Sequence, residues 1–292
     1  MIKINIYYWN NGSGVLNHSI LLKNLLSDYN VVCYDMSKKN IFRKSNFGIF
    51  IQNVWVNLLE DNKKNVYFMC EEWTHKSEID IIRQFDYVFV NSNHAKKLIE
   101  RYHDKVIVVP FFSLDRYFFP KQTKNFLHFK GKSIQKNTEL VRDYPYIRII
   151  DSEQNYLSEN DVVNNLNNHD IHICCSLYES WGHYLWEAMS CGKLVICSEI
   201  PVFKEYLDPE LVKFVPTNKT DDLHSEYKYL KDKKYPLRET YITDKIYFNN
   251  LLKDKDYLFE FQNKNSDNIR NYFLYTNKIN KKNFLNIVKY II

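Results

Sequence analysis

A chain of 292 residues, 45% hydrophobic and 16% aromatic, has material for two α/β cores and carries no signature of disorder. Its charges, 40 basic against 35 acidic for a net +5, are scattered along the chain, which weighs against a nucleic-acid partner and leaves room only for peripheral membrane contact. No apolar run approaches the ~20 residues that span a bilayer, and the alternating start Met1-Ile2-Lys3-Ile4-Asn5-Ile6 is strand-like and unlike a signal peptide, so the expected location is cytoplasmic.

In chain order, short apolar runs at residues 4–8, 31–34, 48–54, 66–70, 87–91 and 106–110 read as strands, with helical stretches at 15–26 and 94–102, the second capped by Asn93. This is the alternation of a parallel sheet covered by helices, and it predicts a first domain over residues 1–112. Residues 113–124 break the rhythm with Asp115, Pro120 and a basic, polar cluster, and read as a linker. A second series over residues 125–275 offers strands at 126–129, 147–150, 171–175 and 194–198 and helices at 138–143, 160–168 and 183–190. From Asp221 onward the pattern is helical, and residues 276–292 form a last helix with Phe284, Ile287, Val288 and Ile291 on one face. The six cysteines (33, 70, 174, 175, 191 and 197) lie mostly inside apolar runs and form no Cys-x-x-Cys pair, as expected of reduced core residues. Abundant Asn, Lys, Ile and Tyr resemble the coding bias of an AT-rich genome such as a giant virus or certain bacteria; a viral source would make the location host cytoplasm.

The stretch from Ile171 to Gly192, IHICCSLYESWGHYLWEAMSCG, carries the chemistry. A buried strand runs through a short loop into a helix whose start offers unpaired N–H groups and a partial positive charge, a phosphate-binding end. Gly182 lets a ligand approach the backbone, and Gly192 falls where a left-handed helix cap is needed. Glu187 shares a helix face with His183, and Glu179 stands just ahead of the helix, so two carboxylates can flank one ligand. Of six glycines, five (Gly12, Gly14, Gly131, Gly182 and Gly192) fall at strand–helix junctions or helix ends. Cys174, Cys175, His172 and His183 lack metal-ligand spacing, and no metal site is expected.

At these residues the chain resembles the retaining GT-B glycosyltransferases of family 4. Glu179 and Glu187 match the E-x7-E signature, with Ser180 and Trp181 where the family usually has Gly and Phe. Residues Gly131-Lys132-Ser133-Ile-Gln-Lys136 look like the family's Gly-Arg-x(n)-Lys-Gly segment in a Gly-Lys-Ser-x-x-Lys variant, Lys132 keeping the charge of the customary Arg without its fork. Asn11-Gly12-Ser13-Gly14 resembles the glycine loop that faces the donor phosphates. The resemblance implies two Rossmann-like domains facing a central cleft, with the last helix returning to the first domain. It implies transfer of a sugar from a nucleoside-diphosphate sugar, UDP-sugars favoured, to a glycan or other acceptor, with no cofactor and no metal. Glu179, Lys132 and Lys136 would act on the donor sugar and the departing diphosphate. Gly12, Ser13, Gly14, Ser133, Gly182, His183 and Glu187 would bind the donor, Glu187 at the ribose and Tyr156 near the base. Glu72 and Trp73 resemble a Glu-Trp loop on the acceptor side; the same residues suit a solvated turn. Two alternatives remain open: a non-catalytic sugar-nucleotide or glycan-binding protein of this fold, and a DNA-base glycosyltransferase, which would need a clustered basic groove.

Overall fold

The computed structural model describes residues 1–10, 14–117, 123–131, 134–151, 157–220 and 237–292. The chain forms two compact units. The first holds Met1–Phe111, Leu237, Arg238 and Ile279–Ile292; the second runs from Phe112 to residue 220 and from Glu239 to Lys278.

Six parallel strands build the first unit: β1 (Lys3–Tyr8), β2 (Asn30–Asp35), β3 (Ser45–Ile51), β4 (Asn62–Phe68), β5 (Tyr87–Val90) and β6 (Val106–Val108), in the order β2-β1-β3-β4-β5-β6. Their runs are apolar on both faces because helices cover both, as a parallel sheet requires. Helices α1 (Gly14–Leu25), α2 (Lys76–Ile79) and α3 (Asn93–Ile99) join them. Ser92, not Asn93, caps α3: its side chain accepts from the Ala95 amide, and Asn93 is the first helical residue. The core is aromatic, with Tyr7 stacked on Phe50 at 4.5 Å between centroids and on Tyr34 at 5.4 Å. Beneath the amino ends of the strands lies a buried polar network in which Ser45 donates to Asn62 at 2.6 Å and Asn62 to Asn65 at 2.9 Å. Gly48 is glycine because of it, since a Cβ there would stand 2.5 Å from Asn62 Nδ2.

The second unit has five parallel strands, β7 (Phe126–Phe129), β8 (Ile147–Ile150), β9 (Ile171–Cys174), β10 (Leu194–Ser198) and β11 (Lys213–Val215), ordered β11-β10-β9-β7-β8. An antiparallel pair, β12 (Thr217–Thr220) with β13 (Thr240–Thr243), stands beside them in sequence. Its helices are α4 (Glu159–Asn167), α5 (His183–Ser190), α6 (Pro201–Tyr206), α7 (Lys245–Lys253) and the first part of α8 (Lys255–Ile291). The helix expected at 138–143 is reduced to a 3-10 turn at Thr138–Leu140. Asn137 enters it in the left-handed conformation, and Pro145 disfavours continuing helix through Tyr144. The helical reading from Asp221 is corrected by β13; residues 221–236 lie outside the described residues.

Within the second unit the buried core gathers Ile171, Ile173, Leu194, Ile196, Val215, Phe248, Leu252 and Leu258. Gly192 takes the left-handed conformation at φ 68°, and its carbonyl accepts from Gln262 at 2.8 Å and Ser266 at 2.9 Å, both on α8. The far end of α8 belongs to the first unit, where Phe284, Val288 and Ile291 are buried and Phe284 lies 6.4 Å from the Phe68 ring. All six cysteines are free thiols, and Cys174, Cys175, Cys191 and Cys197 are buried. No described helix is long and apolar enough to cross a membrane.

Candidate functional site

The site builds outward from β9 of the second unit. After the strand, the Leu177 amide donates to the Gln135 carbonyl at 2.8 Å and Gln135 Nε2 returns a bond to the Tyr178 carbonyl at 2.8 Å. These bonds tie the Glu179 loop to the 3-10 turn Ile134–Lys136. The loop enters α5 through Gly182, whose φ of 78° is left-handed and whose missing Cβ makes room for Phe203: a Cβ would stand 2.8 Å from that ring. Glycine is therefore required here by conformation and packing, which adds a structural cause to the expected role of ligand approach. No side-chain hydrogen bond caps α5, and the Leu185 amide donates to the Gly182 carbonyl at 3.0 Å. Trp181 and Trp186 stack at 5.0 Å, and Trp181 Nε1 donates to Ser113 Oγ at 3.2 Å. Ser113 Oγ also lies 2.8 Å from His183 Nδ1, which fixes the ring at the helix mouth.

Glu179 and Lys136 form a short ion pair. Ser176 Oγ donates to Glu179 Oε1 at 2.9 Å and shares a 2.6 Å bond with Tyr184 OH. The Lys136 ammonium sits 3.6 Å from the Tyr184 ring centroid, so carboxylate and ring hold it from two directions. Burial, with Cys174 and Glu179 nearby, pushes the Tyr184 hydroxyl far above its ordinary range, and it remains a neutral hydrogen-bonding group.

Glu187 is buried one turn after His183 and faces Arg116. Arg116 Nε and Nη2 each lie 3.2 Å from Glu187 Oε1, and Nη1 pairs with Glu159 at the start of α4. Burial raises the Glu187 carboxyl above the usual carboxylate range, and the Arg116 charge and hydrogen bond pull it back.

The structure thus gathers five expected residues, Lys136, Glu179, Gly182, His183 and Glu187, at the carboxyl end of β9, where ligands bind in open α/β sheets. Gly12, Ser13, Lys132, Ser133 and Tyr156 lie outside the described residues. Gly14 opens α1 of the first unit, where a Cβ would meet nothing within 4 Å among the described residues. Glu72 and Trp73, also of the first unit, form a 3-10 turn after β4. That turn is not solvated: Glu71 and Glu72 are each 5% exposed, and Arg238 lies over the Trp73 ring at 4.7 Å while donating to the Glu72 carbonyl at 2.9 Å. Sequence reasoning passed over Ser176 and Tyr184, which sit inside the motif itself, and Arg116, which meets Glu187 across 71 positions and leaves no local signal. Among the described residues no group of three or more His, Cys, Asp and Glu side chains is placed to hold a metal ion. The sequence does contain one Asp-x-Asp tripeptide, Asp254-Lys255-Asp256; there Asp254 accepts from the Tyr257 amide at 3.1 Å at the start of α8.

Residues 154–244, which contain both glutamates, match the model of the family described as glycosyl transferases group 1. Solved structures extend the likeness to the whole chain. A glycosyltransferase from Rickettsia africae ESF-5 is similar at TM-score 0.65 and 12% identity, covering 99% of this chain and 98% of that one. Sucrose-phosphate synthase (tll1590) from Thermosynechococcus elongatus is similar at TM-score 0.66 and 11% identity, over 100% and 99% of the two chains. Anabaena Alr3699/HepE, solved in complex with UDP-glucose, is similar at TM-score 0.60 and 12% identity, over 98% and 100%. These likenesses show the fold to be GT-B. No curated protein sequence matches the chain.

Proposed function

We propose that the protein is a retaining glycosyltransferase that moves a sugar from a nucleoside-diphosphate sugar to a glycan or other acceptor without a metal ion. One observation carries this reading: inside the group 1 segment, the start of α5 is flanked by two glutamates, each opposed by a cation. UDP-sugars are the favoured donors, a choice supported by the UDP-glucose complex of the similar Anabaena protein.

In the reaction the bond from the anomeric carbon to the diphosphate oxygen breaks, and a bond to an acceptor oxygen forms on the same face as the acceptor's proton passes to the departing diphosphate. The departing diphosphate gathers negative charge. Lys136, with Lys132 of the same segment, neutralises it, and the Gly182–His183 amides at the positive end of α5 assist. Glu179 accepts from hydroxyls of the donor sugar, and Glu187 accepts from the ribose hydroxyls. Cations and helix terminus supply the charge stabilisation that a divalent ion provides in other transferases.

Thermal-shift screening against UDP-, GDP- and dTDP-sugars, followed by assay of nucleoside diphosphate release with a panel of glycan acceptors, tests the proposal. The expected result is stabilisation by UDP-sugars and UDP release, with the product keeping the donor's anomeric configuration by NMR. Binding without release would overturn the transferase reading, and absence of both would overturn the donor site as well.

A further inference from the structure

Arg116 lies in the segment before β7 and is 7% exposed on its side chain. Its position is fixed through its backbone, since its amide donates to Ser190 Oγ at 2.9 Å and its carbonyl accepts from Asn167 Nδ2 at 2.8 Å. The guanidinium is then divided: Nε and Nη2 meet Glu187 on the single oxygen Oε1, and Nη1 meets Glu159, whose side chain is 66% exposed. A planar guanidinium held by its own backbone can fix a carboxylate in one orientation, which a flexible ammonium cannot do as well. A carboxylate taken out of water without such a partner takes up a proton instead.

Resting on the reading of Glu187 as the ribose ligand, we propose that Arg116 is a positioning residue for the sugar-nucleotide donor, holding Glu187 as an oriented anion able to accept from vicinal ribose hydroxyls. Glu159 modulates the device from the surface by drawing part of the guanidinium charge away.

The other groups around Glu187 do not replace Arg116. Cys191, at the end of α5, is a neutral thiol pushed up to about 12 by burial, with Lys193 lowering it and Asp115 and Glu187 raising it. His183, one turn earlier on α5, is engaged with Ser113. The sign of the pH dependence follows. Burial raises the Glu187 carboxyl and Arg116 opposes that rise, so removing Arg116 makes Glu187 bind its proton at higher pH. Donor binding in such a variant weakens at low pH and recovers as pH rises. Replacing Glu159 by Gln acts in the opposite direction, because the guanidinium charge is then given to Glu187 alone.

The experiment is calorimetric titration with UDP between about pH 5.5 and 9 on the wild-type chain and on R116M, R116K, E159Q and E187Q, with circular dichroism to check folding and kcat measured at saturating UDP-sugar. R116M is expected to weaken UDP binding about 10–100-fold at pH 7, the reach of one paired charge, and to move the binding midpoint to higher pH. R116K recovers part of the affinity, E159Q moves the midpoint to lower pH, and kcat in R116M stays within a few-fold. Wild-type affinity in R116M at every pH would overturn the proposal, and so would a uniform loss with no pH shift and no rescue by Lys. If R116M does not fold, the E159Q midpoint decides, and an unmoved midpoint overturns the proposal. E187Q separates the two levels. Unchanged UDP binding in E187Q breaks the ribose reading itself, whereas weakened binding in E187Q beside unchanged binding in R116M breaks only the role of Arg116.

Discussion

Glu179 and Glu187 stand eight positions apart and both face a cation, but the two pairs are built from different materials. Lys136 is a compact charge on a flexible stem, carried by a 3-10 turn and resting between Glu179 and the Tyr184 ring. Arg116 is a planar fork whose own backbone is bonded on both sides and whose guanidinium is divided between two carboxylates. An ammonium can turn from a carboxylate to a departing diphosphate with little rearrangement; a fixed guanidinium serves to keep its partner still. Under the proposed function, the lysine end would serve turnover and the arginine end affinity.

The sharpest way to break that division is Lys136→Met. It should lower kcat about 10²–10³-fold, the usual loss of one charge-stabilising donor, with UDP affinity within a few-fold. Equal losses in both, measured by initial rates and calorimetry, would erase the distinction. Glu187→Gln should do the reverse, weakening UDP about 10-fold or more through lost charge-assisted bonds and leaving kcat at saturating donor nearly unchanged. Gly182→Ala tests what the two ends share. The left-handed φ and the Phe203 ring together should cost about 1–3 kcal/mol in denaturant unfolding, and the variant should lose affinity and turnover together.

The smallest effect concerns acid. His128 sits behind the Lys136 turn, near Ile173 O and Thr138 Oγ1 at 3.0 Å each, and burial lowers it to about 4, with His172 in the same unit at about 3. In the unfolded chain both titrate near 6.5, so the stability of their neutral forms is complete above that pH and is lost as pH falls toward 4 and 3. Between pH 6.5 and 5.5 each should cost about 1 kcal/mol. Thermal unfolding should therefore shift downward over that interval in the wild type and less in a His128→Gln variant that keeps one of the bonds. A midpoint flat between pH 7 and 5.5 would contradict the assignment.

Much of this arrangement was legible in the sequence, for physical reasons that also mark where legibility ended. Strands buried on both faces read as apolar runs, so β1, β4, β7 and β10 were placed within a few residues. β3 begins earlier than its apolar run because Ser45 and Asn46 pair at the polar amino edge of the sheet, Ser45 with Asn62 and Asn46 with the Lys3 amide. Threonine-rich β12 and β13 find each other across more than a dozen positions and have no apolar signature to announce them. Glu71 and Glu72 looked fit for a solvated turn, yet they are buried beside Trp73 and Arg238, a partner far along the chain. Glu179, Gly182 and Glu187 could be named because a loop and one helix carry all three. Arg116 could not, since a pair formed across a linker is a tertiary event with no period or spacing to betray it.

The central claim is that the start of α5, with its two flanking glutamates, handles a sugar nucleotide for transfer, and UDP release from a UDP-sugar in the presence of a glycan acceptor measures it most directly. The expected result is release by the wild-type chain, its near loss in Lys136→Met even at saturating donor, and its recovery in Glu187→Gln as donor concentration rises. Absence of release from every UDP-, GDP- and dTDP-sugar tried, or release indifferent to both substitutions, would contradict the account.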